Sequence, residues 1–261
     1  MDLLEVKHRN TVAESRHPWE LARLVVVSKL IKKHALIKKG GTVLDIGCGD
    51  VFVIASLAKQ YPETDFLAVD TAFDASLIAS YSNALEVDNL KLYASLDEAL
   101  EGDIAKIDLV LLLDVVEHIE DDRAFLKVIA NNDQIIRDTN ILITVPAFQK
   151  LFCSHDVFLK HYRRYDNKQL RGLVNKVGLA EVVSGYFFFS LLPLRIVKVI
   201  KERVFKAKNE NTSDLVQWNG NTFISKLLKN LLVVDYKITS SFKGIGINIY
   251  GLSNYMICKK Q

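Results

Sequence analysis

The sequence predicts an α/β fold, a mostly parallel sheet covered by helices on both faces, and three stretches carry that expectation. Val43 to Val51 is a β-branched apolar strand that breaks at Gly47-Cys48-Gly49, and Phe52 to Tyr61 then repeats apolar residues at helical spacing. The unit is strand, glycine turn, helix. Leu109 to Leu113, inside a strand read from Ile107, is an unbroken apolar run, as a strand covered on both faces requires. Phe66 to Asp70 is a shorter apolar strand that ends in a carboxylate.

The chain of 261 residues, 49% apolar, can bury a full core and suits one large domain, alone or with an insertion. Its three cysteines, Cys48, Cys153 and Cys258, are far apart and lack metal-type spacing. Reduced thiols and a cytoplasmic setting are expected. Cys48, between two glycines, reads as a small buried residue rather than a nucleophile. The first residues lack a basic region followed by an apolar stretch, so no signal peptide is expected, and Tyr186 to Leu194 is too short to span a bilayer. The net charge of +3 conceals an asymmetry: residues 151–261 hold 18 Lys and Arg against 7 Asp and Glu, and the first 150 residues hold 16 against 24. A basic C-terminal part suggests an anionic partner such as a membrane surface, a phosphate-bearing substrate or nucleic acid.

The glycine turn aims backbone N–H groups and a helix N-terminus at one place beyond the sheet, which makes it a ligand cradle. A dinucleotide fingerprint would need a third glycine where Phe52 stands. That disfavours a nicotinamide-dependent oxidoreductase. Asp45, at the end of the strand, suits a cationic ligand instead. Asp45-Ile46-Gly47-Cys48-Gly49 resembles the first motif of class I S-adenosylmethionine-dependent methyltransferases, of the type 11, 12 and 23 groups. The resemblance implies S-adenosyl-L-methionine as cofactor, held by Asp45, Gly47, Cys48 and Gly49. It assigns the ribose hydroxyls to Asp70, the adenine to Thr71 and Ala72 with Ser95 and Leu96 at its edge, and a further contact to Leu113 and Asp114. Members of the family have a small residue where this chain has Val51. They have a Rossmann-like sheet of seven strands, with the last antiparallel between the fifth and sixth.

The remaining elements follow in order. Residues 1–40 read as a helical cap; Ser15 or His17 lies near a helix start with Pro18 in its first turn, and Leu21, Leu24, Val25, Leu30 and Ile31 form a stripe. The resemblance implies that aromatic residues of this segment close over the cofactor, and Trp19 is a candidate acceptor contact there, or else a staple for this helix. Residues 41–190 form the cofactor-binding core. Leu90 to Tyr93 is its third strand, and the fourth ends in Asp114-Val115-Val116-Glu117-His118.

If that turn enters a helix, Asp114, Glu117 and His118 share one face, as a general base with its orienting partner or as ligands of a divalent metal. Simple capping of the helix start by Glu117 and His118 is the plainer alternative. The segment resembles a subset of the family, small-RNA 2′-O-methyltransferases and quinone-pathway O-methyltransferases, that holds Mg2+ or Mn2+ with Glu-x-x-Glu-His and a later histidine. The resemblance implies Asp114, Glu117 and His118 as ligands with one later histidine, His161 or His155, Asp114 being one methylene shorter.

Ile141 to Val145, closed by Pro146, is the fifth strand, and the polar-aromatic loop to Tyr165 follows where the family builds its acceptor pocket. His155, Tyr162, Arg163 and Arg164 are candidate acceptor contacts; the arginines suit a carboxylate or phosphate, or an internal clamp to Asp156 or Asp166. Asp166 caps a helix ended by Gly178, Leu179 to Phe189 is the sixth strand, and residues 251–261 carry the seventh.

Residues 191–250 read as an amphipathic helical insertion with a polar linker at 206–221 that suits a lid. Beside the aromatic run Phe187-Phe188-Phe189 it suits an anionic membrane surface, or plain packing on its own domain or a second subunit.

The expected function is methyl transfer to an oxygen of a small-molecule or lipid-linked acceptor, phosphate-bearing or a glycan, in the cytoplasm or at the inner face of the membrane. His118 is the first candidate base and His161 the second, with Glu117 beside them. The alternatives are a metal-assisted RNA 2′-O-methyltransferase, although no separate RNA-binding module is seen, and a non-catalytic membrane- or protein-binding module.

Overall fold

The computed structural model describes residues 16–101, 104, 106–205 and 221–261. Ser15 and nearly all of the expected linker lie outside the described residues. The first helix, α1 (Pro18–Lys33), is fixed by its start: the His17 ring accepts the Trp19 N–H at 3.1 Å, and the Glu20 carboxylate accepts the His17 N–H at 3.2 Å. Pro18 in the first turn loses no helical hydrogen bond there.

Strands and helices then alternate: β1 (Thr42–Ile46), α2 (Phe52–Gln60), β2 (Asp65–Val69), α3 (Ala75–Leu85), β3 (Leu90–Tyr93), α4 (Leu96–Leu100) and β4 (Leu109–Leu113). After β4 come α5 (Asp122–Asn131), β5 (Asn140–Pro146), α6 (Ser154–Phe158), α7 (Asn167–Lys176) and β6 (Leu179–Phe187). The insertion is α8 (Leu192–Phe205) and α9 (Thr222–Gly244), and β7 (Ser253–Lys260) ends the chain.

Among the described residues seven strands form one sheet in the order β3-β2-β1-β4-β5-β7-β6, with β7 antiparallel to both neighbours and the other pairs parallel. The antiparallel last strand between the fifth and sixth is as the family resemblance implies. Alternate side chains feed two cores: Val43, Leu109 and Leu111 pack on one face, Leu44, Val110 and Leu112 on the other. Strand order reverses between β1 and β4, so a crevice opens at their carboxyl ends.

Some boundaries differ from expectation. β4 begins at Leu109 because the Asp108 carboxylate accepts the Thr42 N–H at 3.1 Å and anchors the strand's start. β6 stops at Phe187 because Phe188 takes a left-handed backbone, φ 63°. Phe187 and Phe188 are buried, so the aromatic run is core rather than a surface patch. The insertion does pack on its own domain along one side: Leu232 and Tyr236 of α9 are buried, and Asp235 accepts N–H groups from Phe189 and Ser190.

Candidate active site

The turn after β1 is closed by the Val69 carbonyl, which accepts the Gly47 N–H at 2.8 Å and the Cys48 N–H at 3.2 Å. Gly47 has φ 72°, and a Cβ there would stand 2.7 Å from Val115 Cγ2, so both backbone and space demand glycine. Asp70 Oδ2 accepts the Gly49 N–H and Oδ1 the Ala72 N–H, each at 2.9 Å. These bonds aim the carboxylate at the crevice and leave acceptor capacity on both oxygens. Val51, at the family's small-residue position, holds φ 57° although it is β-branched.

Asp45 is buried beneath this turn, and its Oδ1 has no hydrogen-bond partner among the described residues. Burial raises its pKa to about 7, against the pull of the Arg23 charge. Arg23 is buried in α1; its Nη2 is 3.0 Å from Asp114 Oδ2, and its Nε has no partner among the described residues. A buried carboxylate and a buried guanidinium, each with spare capacity, suit a zwitterionic ligand such as the methionyl part of S-adenosylmethionine. Arg23 was not singled out from the sequence. The available signal was its spacing, which puts an arginine on the same face as Val26, Val27 and Leu30.

The crevice widens into a cavity of about 970 Å³. Gly47, Gly49, Asp70, Thr71, Leu113 and Asp114 line one end. Asp45 and Cys48 lie under the turn instead, and burial pushes the Cys48 thiol well up, which leaves it a poor nucleophile. Ser95 and Leu96 are not in the wall: the Ser95 hydroxyl caps α4 by accepting the Glu98 N–H at 3.2 Å, and Leu96 packs on the core.

At the other end the wall includes Trp19, Glu117, His118, His155, His161 and Tyr162. Asp114 adopts φ 57° and the chain continues as a 3₁₀ turn, Val116–His118, not an α-helix. Asp114 and Glu117 therefore do not share a helical face. Asp114 is engaged by Arg23 and by the Thr144 hydroxyl, which donates to it at 3.0 Å. Glu117, His118 and His161 come together without it, each offering an atom within 4.8 Å of the others. Glu117 is fully buried, and neither carboxylate oxygen has a hydrogen-bond partner among the described residues. Burial, reinforced by the charge of Asp114, pushes its pKa well up. Two imidazoles and one unpartnered carboxylate fit a divalent transition-type cation by donor chemistry.

His161 is oriented from behind. Its Nδ1 lies 3.0 Å from Asp156 Oδ1, which leaves Nε2 as the outward nitrogen. Its ring meets that of His118 edge-on at 4.6 Å. Asp156 also accepts from Cys153 N at 2.9 Å, from Arg164 Nε at 2.8 Å and from Arg195 Nη2 of α8. Burial alone would raise this carboxyl, but the His161 contact and the two guanidinium charges hold it well below the usual carboxylate range.

Arg164 is a buried clamp on Asp156, as the internal alternative for it expects, and it also lines the cavity. Arg163 is likewise engaged, donating to Asp122 at 2.7 Å and to the Glu120 carbonyl. Tyr162 stays half exposed at the cavity. Trp19 packs 6.4 Å from the Phe188 ring while lining the cavity, so it sits where both readings of it overlap.

Residues 44–132 match the family described as a methyltransferase domain. Over 88 residues the chain is 33% identical to the ribosomal RNA small subunit methyltransferase C of Pseudoalteromonas translucida, covering 34% of this chain and 25% of that protein. Over 105 residues it is 31% identical to the ubiquinone biosynthesis O-methyltransferase of Rickettsia bellii, covering 40% and 42%. The chain thus spans less than half the length of these curated relatives. Among solved structures, a SAM-dependent methyltransferase from Archaeoglobus fulgidus shares the fold at a TM-score of 0.51 with 18% identity, over 99% of this chain and 98% of that one. Phosphoethanolamine N-methyltransferase 2 of Haemonchus contortus, in complex with S-adenosyl-L-methionine, gives 0.55 with 17% identity over 90% and 52%. With the strand order and the cradle after β1, residues 44–132 are thus similar to a methyltransferase domain, and the fold is one that SAM-dependent methyltransferases share.

Proposed function

We propose that the protein transfers the methyl group of S-adenosylmethionine to a hydroxyl oxygen of a small acceptor. One observation carries this reading: a single cavity joins the Asp70 cradle to an imidazole oriented by a carboxylate, His161 on Asp156. When bound, S-adenosylmethionine supplies a methyl group activated by its sulfonium, whose sulfur keeps the C–S bonding electrons as the new C–O bond forms.

The residues of the chain align the partners and handle the proton. Asp70 takes ribose hydroxyls, Arg23 takes a carboxylate, and Asp45 offsets positive charge from below the turn. Thr71 lines the adenine side. Holding the reacting groups in line contributes up to about 7 to 11 kcal/mol. A hydroxyl must also lose its proton, and His161 Nε2 accepts it while Asp156 stabilises the resulting imidazolium. His118 packs against His161 and serves as the second candidate base, with the buried Glu117 beside both rings. The oxygen reading rests on this base, because a hydroxyl is too weak a nucleophile to take the methyl group until its proton is removed. Trp19, His155 and Tyr162 shape the acceptor end.

A second reading is favoured by the proximity of Glu117, His118 and His161. A divalent ion such as Mg2+ or Mn2+ there would lower the acceptor hydroxyl's pKa. Glu117, His118 and His161 would hold it, and Asp114 would not. The acceptor of this metal-assisted version includes an RNA 2′-hydroxyl; the likeness to the ribosomal RNA enzyme lies in 88 residues and does not select an acceptor.

Calorimetry with S-adenosylhomocysteine tests the core of the reading. Micromolar binding is expected, and folded protein that does not bind it is a non-catalytic module on this fold. Chelator treatment divides the two mechanisms: turnover that survives it leaves the base mechanism, and turnover lost and restored by Mn2+ selects the metal.

A further inference from the structure

The basic C-terminal part of the chain includes two helices, α8 and α9, with an unusual distribution of side chains. On α8, Ile196, Val197, Ile200 and Val204 are 40 to 66% exposed, whereas the buried side of that helix carries Arg195 and Val199. On α9, Phe223, Leu227, Leu231, Val234 and Ile238 are 39 to 72% exposed. The side of α9 that packs on the domain is the more polar one, with Ser225, Asp235 and Thr239 buried beside Leu232 and Tyr236. The larger apolar stripe of each helix therefore faces solvent, an arrangement that marks an interaction surface.

Charge identifies the partner. Each helix has a single acidic residue, and both are engaged by the chain itself: Glu202 accepts from Ser154 N and Oγ at 3.0 and 2.7 Å, and the buried Asp235 accepts from the 189–190 segment. The outer side keeps the cations, with Lys201, Lys226 and Lys237 exposed beside the apolar stripes. Two copies joined through this face would bring these like charges together, whereas an anionic bilayer complements both the lysines and the apolar stripes. No helix among the described residues is long and apolar enough to cross a membrane, so the helices would lie in its plane.

We propose that the exposed face of α8 and α9 docks on an anionic lipid surface, with the mouth of the cavity turned toward it. The two helices also line the cavity: Leu194 and Lys198 from α8, Leu228 and Leu232 from α9. Leu194 and Leu228 are at once wall residues and exposed, so an apolar path runs from the docking face into the site. A lipid-linked acceptor would follow this path with its chain kept from water. That last step rests on the methyltransferase reading, while docking itself does not.

Vesicle flotation of the full chain tests the docking. Binding is expected to vesicles of phosphatidylcholine with about one third phosphatidylglycerol and not to phosphatidylcholine alone, and to weaken with salt. Ile200→Glu with Leu231→Glu, and separately Lys201→Glu with Lys226→Glu, should each reduce partitioning by about tenfold or more. None of these four residues lines the cavity. Wild type that does not float with anionic vesicles, or variants that float equally well, overturns the proposal; so does a dimer dispersed by the apolar double variant, which would assign the face to a second copy. Cooperative thermal unfolding controls for folding. Vesicle binding without S-adenosylhomocysteine binding would leave docking intact and remove the methyltransferase reading; the converse would do the opposite.

Discussion

Asp45 carries a linkage between the cradle and stability. Its folded pKa of about 7 lies above the unfolded value of 3.8, so folding takes up a proton between those pH values. This group's contribution to stability is therefore fully present below pH 4 and falls as pH rises to about 7, by up to about 4 kcal/mol at 1.36 kcal/mol per unit. Urea denaturation of the unliganded protein from pH 5 to 8 should show the fall, and Asp45→Asn should flatten it. Asp156 has the opposite sign: its depressed pKa stabilises the fold above pH 4 and is lost as pH drops. Asp70→Ala should weaken S-adenosylhomocysteine roughly tenfold to hundredfold by calorimetry, through loss of charge-assisted hydrogen bonds worth about 1.5 to 3 kcal/mol. His161→Ala should lower kcat by about 10² to 10⁴ in the base mechanism while leaving S-adenosylhomocysteine affinity unchanged. At Val51 the left-handed backbone costs a residue with a Cβ about 1 to 2 kcal/mol. Val51→Gly is thus expected to be about 1 kcal/mol more stable than Val51→Ala in urea, the reverse of the helix-propensity order.

At the level of elements, α8 does two things at once. Its outer side carries the apolar stripe, and Arg195 on its inner side holds Asp156, which in turn orients His161. Arg195→Ala removes one of the cations that offset a buried carboxylate and should cost about 3 to 5 kcal/mol in thermal or urea denaturation. A conservative Arg195→Lys should recover part of that stability. The elements themselves were legible where periodicity was strong. β1, β2, β3 and the cap of α7 by Asp166 lie where the apolar pattern and the capping residues predict them, because these are local signals. No α-helix starts at Asp114, because the turn there is set by a left-handed backbone and by pairing with Arg23 and Thr144, neither of which spacing records.

At the scale of the molecule, the sheet brings the carboxyl ends of β1, β2 and β4 to one crevice and hangs the loop between β5 and α7 over it. That is why residues as distant as Gly47, Asp114 and His161 share a cavity. The strand, glycine turn and helix of the cradle, the acid at the end of β2 and the basic bias of the C-terminal part are legible without the fold, because each is written in residue type and short-range period. The tertiary structure decided the rest: that Arg23 and Asp156 are buried hubs, that Arg163 and Arg164 are occupied by carboxylates, that Asp114 leaves the Glu117, His118 and His161 group, and which side of α8 and α9 faces out. A buried charge must find its counter-charge across the fold, and that pairing follows from which surfaces the sheet brings together rather than from any spacing along the chain.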